Sequence, residues 1–214
     1  MHLQEPILCP VSVSAGRLGQ ASGRYTKQLS DLKGLYEDQT AFAAALGQGD
    51  ALVYEVTDYR PSANAGDLIF GVTRMEPGRI GDEFYLTRGH IHARADRPEI
   101  YYGEAGQGVM LLESPEGDIR AMPIGPRDMC YVPPFWIHRS VNVGTTELVM
   151  SFMYPADSGQ DYAIIERAGG MRQRVVATAD GWGLRDNRLY KPRPADEIAV
   201  LYAANSKNDS KNET

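Results

Sequence analysis

The 214-residue sequence has few cysteines, few histidines and no long apolar run. Its two cysteines, Cys9 and Cys130, form neither a CxxC motif nor a disulfide framework, which is typical of proteins in a reducing compartment. No stretch approaches the roughly 20 apolar residues of a membrane-spanning helix, and the N-terminus lacks a basic segment followed by an apolar core. These absences predict a cytoplasmic protein without a membrane partner.

Excess positive charge is also absent. The chain has 22 Lys and Arg against 28 Asp and Glu, a formal net charge of −6. A nucleic-acid-binding surface needs clustered basic residues to neutralise phosphates, and no long Lys or Arg run occurs. We therefore expect no nucleic-acid partner. With 43% hydrophobic residues, the chain is long enough for one substantial core.

Short β-rich runs separated by Gly, Pro and Asp dominate the chain after residue 50. The strand candidates are residues 51–59, 68–75, 83–86, 99–102, 108–113, 119–123, 129–132, 139–143 and 147–154. This regular spacing with turn residues between the runs predicts an antiparallel barrel or sandwich. One clear helix signal covers residues 37–46, with acids at its start and Gly47 placed to end it. Residues 29–36 are predicted to form a connector over the core.

Three histidines and one glutamate have the spacing of metal ligands. Successive side chains of a strand alternate between faces, so His90 and His92 are expected to point the same way, with Ile91 opposite. Glu99 opens the next β-rich run, and a tight return would bring its carboxylate beside the two imidazoles. His138 follows another β-rich run about 40 residues downstream, as expected for a ligand from a neighbouring strand.

Nitrogen and oxygen donors in this combination suit a borderline divalent ion such as Fe, Mn, Ni, Co or Zn, whereas Ca²⁺ prefers oxygen ligands. A lone His-x-His pair is more often surface decoration or core polarity than a ligand pair. The addition of Glu99 and His138, with strand-compatible flanks, reverses that balance. The sequence therefore predicts a metal site.

Two motifs surround the predicted ligands. In the first, Gly89-His90-Ile91-His92 is followed by Glu99 and Gly106, and in the second Pro133 is followed by His138 and Asn142. They resemble the two motifs of the cupin superfamily, although six residues separate His92 from Glu99, where fewer are usual. Phe135 stands where the second motif usually has glycine. With the runs at 29–34, 87–101, 106–111, 131–139 and 154–157, the sequence resembles the cupin-type glucose-6-phosphate isomerases of archaea and some bacteria.

The resemblance implies a metal-dependent aldose–ketose isomerase that interconverts glucose 6-phosphate and fructose 6-phosphate in glycolysis and gluconeogenesis. It implies one divalent ion per subunit, with Fe²⁺ expected and Mn, Ni, Zn or Co as alternatives, held by His90, His92, Glu99 and His138. It also implies a sugar-phosphate pocket lined by Tyr54, Thr73, Thr87, Gly89, Tyr101, Tyr154, Gln160 and Tyr162. Taken singly, a tyrosine in a β protein is more often a packing residue than a substrate contact.

The isomerase reaction moves hydrogen between C2 and C1 while negative charge accumulates on neighbouring oxygens, which a divalent ion stabilises as a Lewis acid. Glu99 is the expected catalytic residue, acting as a base if it loosens from the metal, and a metal-assisted hydride shift stays open. Arg88, Arg94 and Arg97 lie near the motif, where we expect solvent or acidic neighbours rather than phosphate as their partners.

The sequence departs from the family at Gln160, where a histidine is frequent. An amide can hydrogen-bond like an imidazole but cannot shuttle a proton near neutral pH. Two alternatives therefore stay open. An Fe-dependent cupin dioxygenase would use the same four ligands, although the wide ligand spacing and a hydroxyl-rich pocket count against it. A non-catalytic sugar-phosphate-binding cupin would bind without turnover, and Gln160 keeps this interpretation open.

The expected fold is all-β, a cupin double-stranded β-helix (jelly-roll barrel) with an N-terminal extension and a short helix. The predicted units are an N-terminal extension with one helix at 1–50, the barrel at 51–167, a C-terminal extension packing on it at 168–204 and a disordered tail at 205–214. A small barrel leaves edge strands exposed, so we expect a homodimer in which the N-terminal strands cover the partner.

Overall fold

The structure is a computed structural model that describes residues 5–203. Its strands are β1 Val11–Ser12, β2 Arg17–Leu18, β3 Gly23–Gln28, β4 Leu52–Tyr59, β5 Leu68–Met75, β6 Arg79–Ile80, β7 Glu83–Phe84, β8 Glu99–Ala105, β9 Gly108–Glu113, β10 Ile119–Ile124, β11 Met129–Val132, β12 Ile137–Asn142, β13 Leu148–Pro155, β14 Gln173–Thr178 and β15 Gly181–Asp186. The helices are α1 Gln39–Gly47, α2 Ala163–Arg167 and α3 Ala195–Ala203, with a 3-10 helix at Leu29–Leu32. The predicted tail lies outside the described residues, and the predicted unit boundaries stay predictions.

Every strand predicted between residues 51 and 154 is present, with ends that shift by a few residues. The predicted helix begins two residues later than expected, because the Asp38 carboxylate caps it by accepting a hydrogen bond from the Ala41 amide at 2.8 Å. The predicted connector before it carries Leu29, Leu32 and Tyr36, whose side chains are buried in the core. Strands β14 and β15 and helix α3 were not predicted.

The strand order identifies the barrel as a jelly roll. One sheet has the order β11-β8-β13-β5-β4-β3 and the facing sheet the order β10-β9-β12, which a bridge between Leu86 and Val141 extends by one more segment. From β8 to β13 the chain crosses from one sheet to the other at every connection except the β9–β10 hairpin, and the paired strands are antiparallel. Two interleaved antiparallel sheets of this kind are the jelly-roll arrangement. The predicted all-β class and barrel are confirmed.

The burial pattern shows which sheet lies in the middle of the molecule. In β11 buried and exposed residues alternate, as expected for a strand with one face toward solvent. In β9 and β12 all residues are buried. The second face of this sheet is covered because a further sheet, β15-β14-β7-β6, and the segments around α1 and α2 contribute buried residues to the same core cluster. No helix among the described residues is long and apolar enough to cross a membrane.

Buried ion pairs connect the C-terminal segment to the barrel. Arg193 donates to Glu113 of β9 at 2.6 Å, and both side chains are at most 1% exposed. Arg174 of β14 donates to Glu83 of β7, also at 2.6 Å and buried. Removing one member of such a pair leaves an uncompensated charge in the interior.

We expect Glu113→Gln to lower the free energy of unfolding by about 3 kcal/mol, because Arg193 then lies buried opposite a neutral amide. Equilibrium urea unfolding measures this loss. Glu197→Gln is the matched control, since its pair with Arg167 at 2.9 Å is partly exposed and is worth at most about 1 kcal/mol. Equal losses in the two variants would contradict a structural role for the buried pair.

Candidate metal centre and active site

The segment that carries His90 and His92 is held between two other parts of the chain. The His90 amide donates to the His138 carbonyl at 3.0 Å, and the His138 amide returns the bond at 2.9 Å. Ile91 exchanges a second pair of backbone bonds with Asp161. The expectation of a regular strand here is wrong, because the segment makes isolated bridges to two partners. The alternation of side chains still turns both imidazoles toward Glu99.

Gly89, the residue before His90, has a backbone conformation that favours glycine. Its φ is +74°, in the left-handed region that glycine tolerates at little cost. A Cβ at this position would lie 2.9 Å from the His138 carbonyl oxygen and from the Ile165 side chain. A side chain at residue 89 would therefore disturb the bridge that positions His90 and His138.

All four predicted ligands meet at one carboxylate oxygen. Glu99 Oε2 lies 2.9 Å from His138 Nε2, 3.3 Å from His92 Nε2 and 3.8 Å from His90 Nε2. His90, Glu99 and His138 have ligand atoms within 4.8 Å of one another, and His92 joins them through Glu99. The four side chains are buried. Ligands of one first-row ion lie roughly 3.0–3.4 Å apart when each bond is about 2.1 Å, so this spacing suits a single ion.

Two of the imidazoles form hydrogen bonds at Nδ1, on the side away from Glu99. These bonds indicate which kind of group fits between Nε2 and Glu99. His92 Nδ1 lies 2.7 Å from the Arg97 carbonyl oxygen, and His138 Nδ1 lies 3.0 Å from the Trp136 carbonyl oxygen. A carbonyl only accepts, so each Nδ1 is protonated, and in a ring that binds metal Nε2 then carries the lone pair. That lone pair faces the Glu99 carboxylate, which is itself an acceptor. A cation between them satisfies both, and the residues therefore fit a divalent metal ion.

The electrostatics of the centre agree with this reading. Burial lowers the pKa of His90 well below its ordinary value, and the neighbouring His138 adds to that effect. Burial alone would raise the pKa of the Glu99 carboxyl. The adjacent imidazoles, those of His138 and His92 first and then that of His90, together outweigh burial and lower it. At neutral pH the centre therefore combines a carboxylate with a neutral His90 imidazole, the protonation states in which both groups bind metal.

A cavity of about 570 Å³, including its open mouth, lies next to this centre. Three of the predicted ligands line it, namely His90, Glu99 and His138. The structure also places all eight predicted substrate residues in its wall, namely Tyr54, Thr73, Thr87, Gly89, Tyr101, Tyr154, Gln160 and Tyr162.

Several further wall residues were missed by the sequence analysis, among them Tyr25, Asp58, Arg60, Ser140 and Phe152. A signal for Asp58 was present, because Asp58 follows Tyr54 by four positions on β4 and the two side chains therefore share a face. Tyr25 lies on β3 directly opposite Val56 of the same strand β4. Its place depends on a pairing with an N-terminal strand that was not predicted.

The tyrosines of the wall are hydrogen-bond donors at neutral pH. Burial raises the pKa of Tyr54 and of Tyr154 to about 12. Burial and then the neighbouring Glu99 carboxylate raise the pKa of Tyr101 well above its ordinary value. A phenol that stays protonated can donate to an anionic oxygen. The cavity thus has a carboxylate and imidazoles at the metal centre and hydroxyl donors around it.

Three arginines line the same cavity, and one of them, Arg139, is buried and donates to the Arg88 carbonyl at 2.9 Å. Arg60 donates to the buried Asp58 carboxylate at 2.6 and 3.0 Å. Arg88 pairs with Glu166 and lies over the Tyr162 ring at 4.9 Å. Both guanidinium groups remain partly exposed. They give the cavity a local positive charge in a protein of negative net charge.

Arg94 and Arg97 do not line the cavity. They pair with Asp157, and Arg97 also pairs with Asp96 at 2.8 Å. The expectation of acidic partners is confirmed for both. Gln160 does line the cavity, and its Oε1 accepts a hydrogen bond from the Tyr162 hydroxyl. The Gln160 amide nitrogen is left as the group that can donate to a bound molecule.

Comparison with known proteins relates this site to one family. The family described as glucose-6-phosphate isomerase matches residues 26–193. The chain is 54% identical to the glucose-6-phosphate isomerase of Sinorhizobium medicae over 97% of this chain and 98% of the relative. It is 41% identical to the glucose-6-phosphate isomerase of Thermococcus kodakarensis over 85% of this chain and 94% of the relative.

Among solved structures, an oxalate oxidase in complex with the substrate analogue glycolate matches 74% of this chain and 73% of its own with a TM-score of 0.45 and 16% identity. That similarity is too low to bear on chemistry. The sequence matches cover most of this chain and of both named relatives. On this ground the chain belongs to the glucose-6-phosphate isomerase family.

Proposed function

We propose that this protein is a metal-dependent glucose-6-phosphate isomerase that interconverts glucose 6-phosphate and fructose 6-phosphate in glycolysis and gluconeogenesis. One observation carries the proposal: a buried carboxylate surrounded by three imidazoles opens onto a cavity walled by hydroxyl donors and three arginines. A phosphorylated sugar needs these groups together, because it combines oxygens that gain charge during the reaction with an anionic end.

We assign one divalent ion per subunit to His90, His92, Glu99 and His138, with Fe²⁺ as the expected ion and Mn, Ni, Zn or Co as alternatives. When bound, the ion supplies a Lewis acid for the sugar oxygens that become negative. The neutral His90 and the Nδ1-protonated His92 and His138 fix the direction of their lone pairs. The barrel thereby orients the donors before any ligand arrives.

We assign the proton transfer to Glu99. Its lowered pKa keeps it ionised at neutral pH, the form that accepts a proton. The carboxylate takes the proton from C2 of the open-chain aldose and returns it to C1. The proton on O2 moves to O1, so that no atom is gained or lost. Tyr101 stays protonated beside Glu99 and can donate a hydrogen bond to O1 or O2 of the sugar.

The phosphate end of the substrate is assigned to the donors of the cavity wall. Thr73, Thr87 and the tyrosines offer hydroxyl groups, and Gly89 offers a backbone amide. Arg60 and Arg88 add positive charge. The sequence did not predict Arg60 as a site residue. Arg60 is paired with Asp58 and Arg88 with Glu166, so both guanidinium groups are held in place without substrate.

Chelation of the metal is expected to abolish interconversion of the two sugar phosphates, and reloading Fe²⁺ or Mn²⁺ is expected to restore it. Glu99→Gln should lose at least about 100-fold in kcat, because the amide neither carries charge nor accepts the C2 proton. A coupled assay of fructose 6-phosphate conversion measures both effects. Glu104→Gln on the same strand is the control, since Glu104 contacts Ser151 at 2.6 Å and does not line the cavity.

The same assay separates the alternatives. Oxygen uptake with thiol or diketone substrates and no isomerisation would identify a dioxygenase. Tight sugar-phosphate binding without turnover in the metal-loaded protein would identify a non-catalytic binding protein. Chelator-insensitive isomerisation, or full activity of Glu99→Gln, would contradict the assigned chemistry.

Gln160→His tests the departure from the family. The parent amide does not titrate, whereas a histidine introduced here has an ordinary pKa of about 6.5. We expect the ratio of variant to parent kcat/KM for glucose 6-phosphate to rise as pH increases through about 6.5, because neutral imidazole accepts a proton and imidazolium does not. pH profiles from 5.5 to 8 measure the ratio. A ratio independent of pH would show that no proton passes through residue 160.

We also propose a cytoplasmic homodimer. Both cysteines are free, as in proteins of reducing compartments. On the outer face of the six-stranded sheet, Tyr131 and Met153 flank Ile100 on adjacent strands, and they are 56% and 38% exposed. Met129 extends this outer patch and is 66% exposed. Contiguous exposed apolar residues on a sheet favour contact with a second copy.

Tyr131→Glu is expected to convert the dimer to a monomer, because it places a charge in the middle of the outer patch. Light scattering coupled to gel filtration measures the mass. Val200→Glu is the control, since Val200 is 70% exposed on α3 and lies outside the patch. A monomeric parent, or a Tyr131→Glu variant that remains dimeric, would overturn the assignment of this interface.

A further inference from the structure

The loop between His92 and Glu99 is longer than the cupin pattern requires, and it is held at several points. Within it, the Arg97 amide donates to the Arg94 carbonyl at 3.0 Å. Ala95 is buried, and its carbonyl accepts from the Phe135 amide at 2.7 Å. The loop thus contacts the second metal motif as well as the first.

The strongest contact leaves the loop from the Arg97 side chain. Arg97 Nε donates to Asp157 Oδ1 at 3.0 Å, and Arg97 Nη2 donates to Asp157 Oδ2 at 2.8 Å. Two parallel bonds between a guanidinium and a carboxylate fix both distance and orientation. The Asp157 side chain is 9% exposed and that of Arg97 21%, so water weakens this pair less than it would weaken a surface pair.

The backbone of Arg97 connects this pair to the metal centre. Its carbonyl oxygen lies 2.7 Å from Nδ1 of His92, and this bond determines which nitrogen of the ring carries the lone pair. His92 differs from the other predicted ligands, because it contacts the group formed by His90, Glu99 and His138 through Glu99. Its position therefore depends strongly on where the loop carbonyl lies.

We infer that Asp157 is a positioning residue for the metal centre, which holds the Arg97 carbonyl against His92 Nδ1 and so orients His92 Nε2 toward Glu99. The inference rests on the metal site of the proposed function. Groups that hydrogen-bond to a metal-ligating histidine commonly change metal affinity about 10–100-fold when they are removed. Asp157 acts one step further out, through a bidentate ion pair and a backbone carbonyl.

The segment that carries Asp157 also reaches the substrate cavity. Its Ser158 carbonyl accepts from the Arg94 amide at 2.8 Å, and Asp161 forms the bridge with Ile91. Gln160 and Tyr162 in the same segment line the cavity. The ion pair therefore connects the loop of one metal ligand to a wall of the cavity.

The test measures the affinity of the protein for Mn²⁺, which does not depend on catalysis. Asp157→Asn is expected to weaken Mn²⁺ binding about 10-fold or more. Asp157→Glu should recover part of the loss, and Arg97→Lys should lie between, because a lysine keeps the charge and loses the paired geometry. Titration followed by the electron paramagnetic resonance of free Mn²⁺ gives the dissociation constants. At saturating Mn²⁺, kcat should recover toward the parent value.

Asp96→Asn is the matched control. It also removes one hydrogen bond to the Arg97 guanidinium, at 2.8 Å, but Asp96 lies on the same loop and does not tie it to another segment. Its Mn²⁺ affinity is expected to equal that of the parent. Thermal unfolding of the metal-free variants shows whether each is folded, and Arg97→Lys provides the comparison if Asp157→Asn is not.

The outcomes separate this inference from the proposed function. A parent that binds no Mn²⁺ overturns the metal site and this inference with it. A parent that binds Mn²⁺ with the same affinity as Asp157→Asn or, in its place, Arg97→Lys overturns the role of Asp157 alone. Weaker binding by Asp157→Asn and Asp96→Asn alike shows a general effect of the loop charges, which also overturns it.

Discussion

The carboxylate of Glu99 is an ionised group buried at the junction of two sheets, and the local structure is arranged around it. A buried charge is tolerated only where donors or a cation compensate it. Here three imidazoles, from β12 and from the segment bridged to it, surround the carboxylate and in the proposed site hold the cation that compensates it. Their convergence requires the jelly-roll crossing that places β12 opposite β8. The fold and the centre therefore depend on each other, because an open sheet would leave the Glu99 carboxylate and the three histidines without one another as partners.

A second arrangement of charge surrounds the cavity, and it differs from the first in exposure. Asp58 and Glu166 hold Arg60 and Arg88 at the wall while both guanidinium groups stay accessible to solvent. The net charge of −6 would repel a sugar phosphate at long range, so these arginines matter through their short-range field. The wall tyrosines complement them, because burial keeps Tyr54 and Tyr154 protonated as donors. In the proposed function, affinity for an anionic polyol therefore rests on paired cations and neutral hydroxyls together.

The sequence predicts the parts of this structure that depend on local periodicity and misses those that depend on distant pairing. His90 and His92 share a direction because of alternation, and β-rich runs with turn residues between them gave the barrel strands close to their observed bounds. The position of β14 was not predictable, since β14 and its neighbour β15 join the distant strand β7 through a single register pair between Val176 and Glu83. Likewise Tyr25 reaches the cavity wall because β3 pairs with β4, where Tyr25 lies opposite Val56. Site residues that act through pairs distant in sequence leave no periodic signal.

The segment from Asp157 to Tyr162 joins the two halves of the site, and this has a thermodynamic consequence. It touches the metal centre through Arg97 and His92, and it forms the cavity wall through Gln160 and Tyr162. If one segment must be ordered for both ligands, binding of either lowers the cost of ordering it for the other. Linkage requires the effect to be reciprocal, so a sugar phosphate that tightens metal binding by some factor is itself bound tighter by the same factor in the presence of metal. In that case the conformational order of this segment couples the binding of cofactor and substrate.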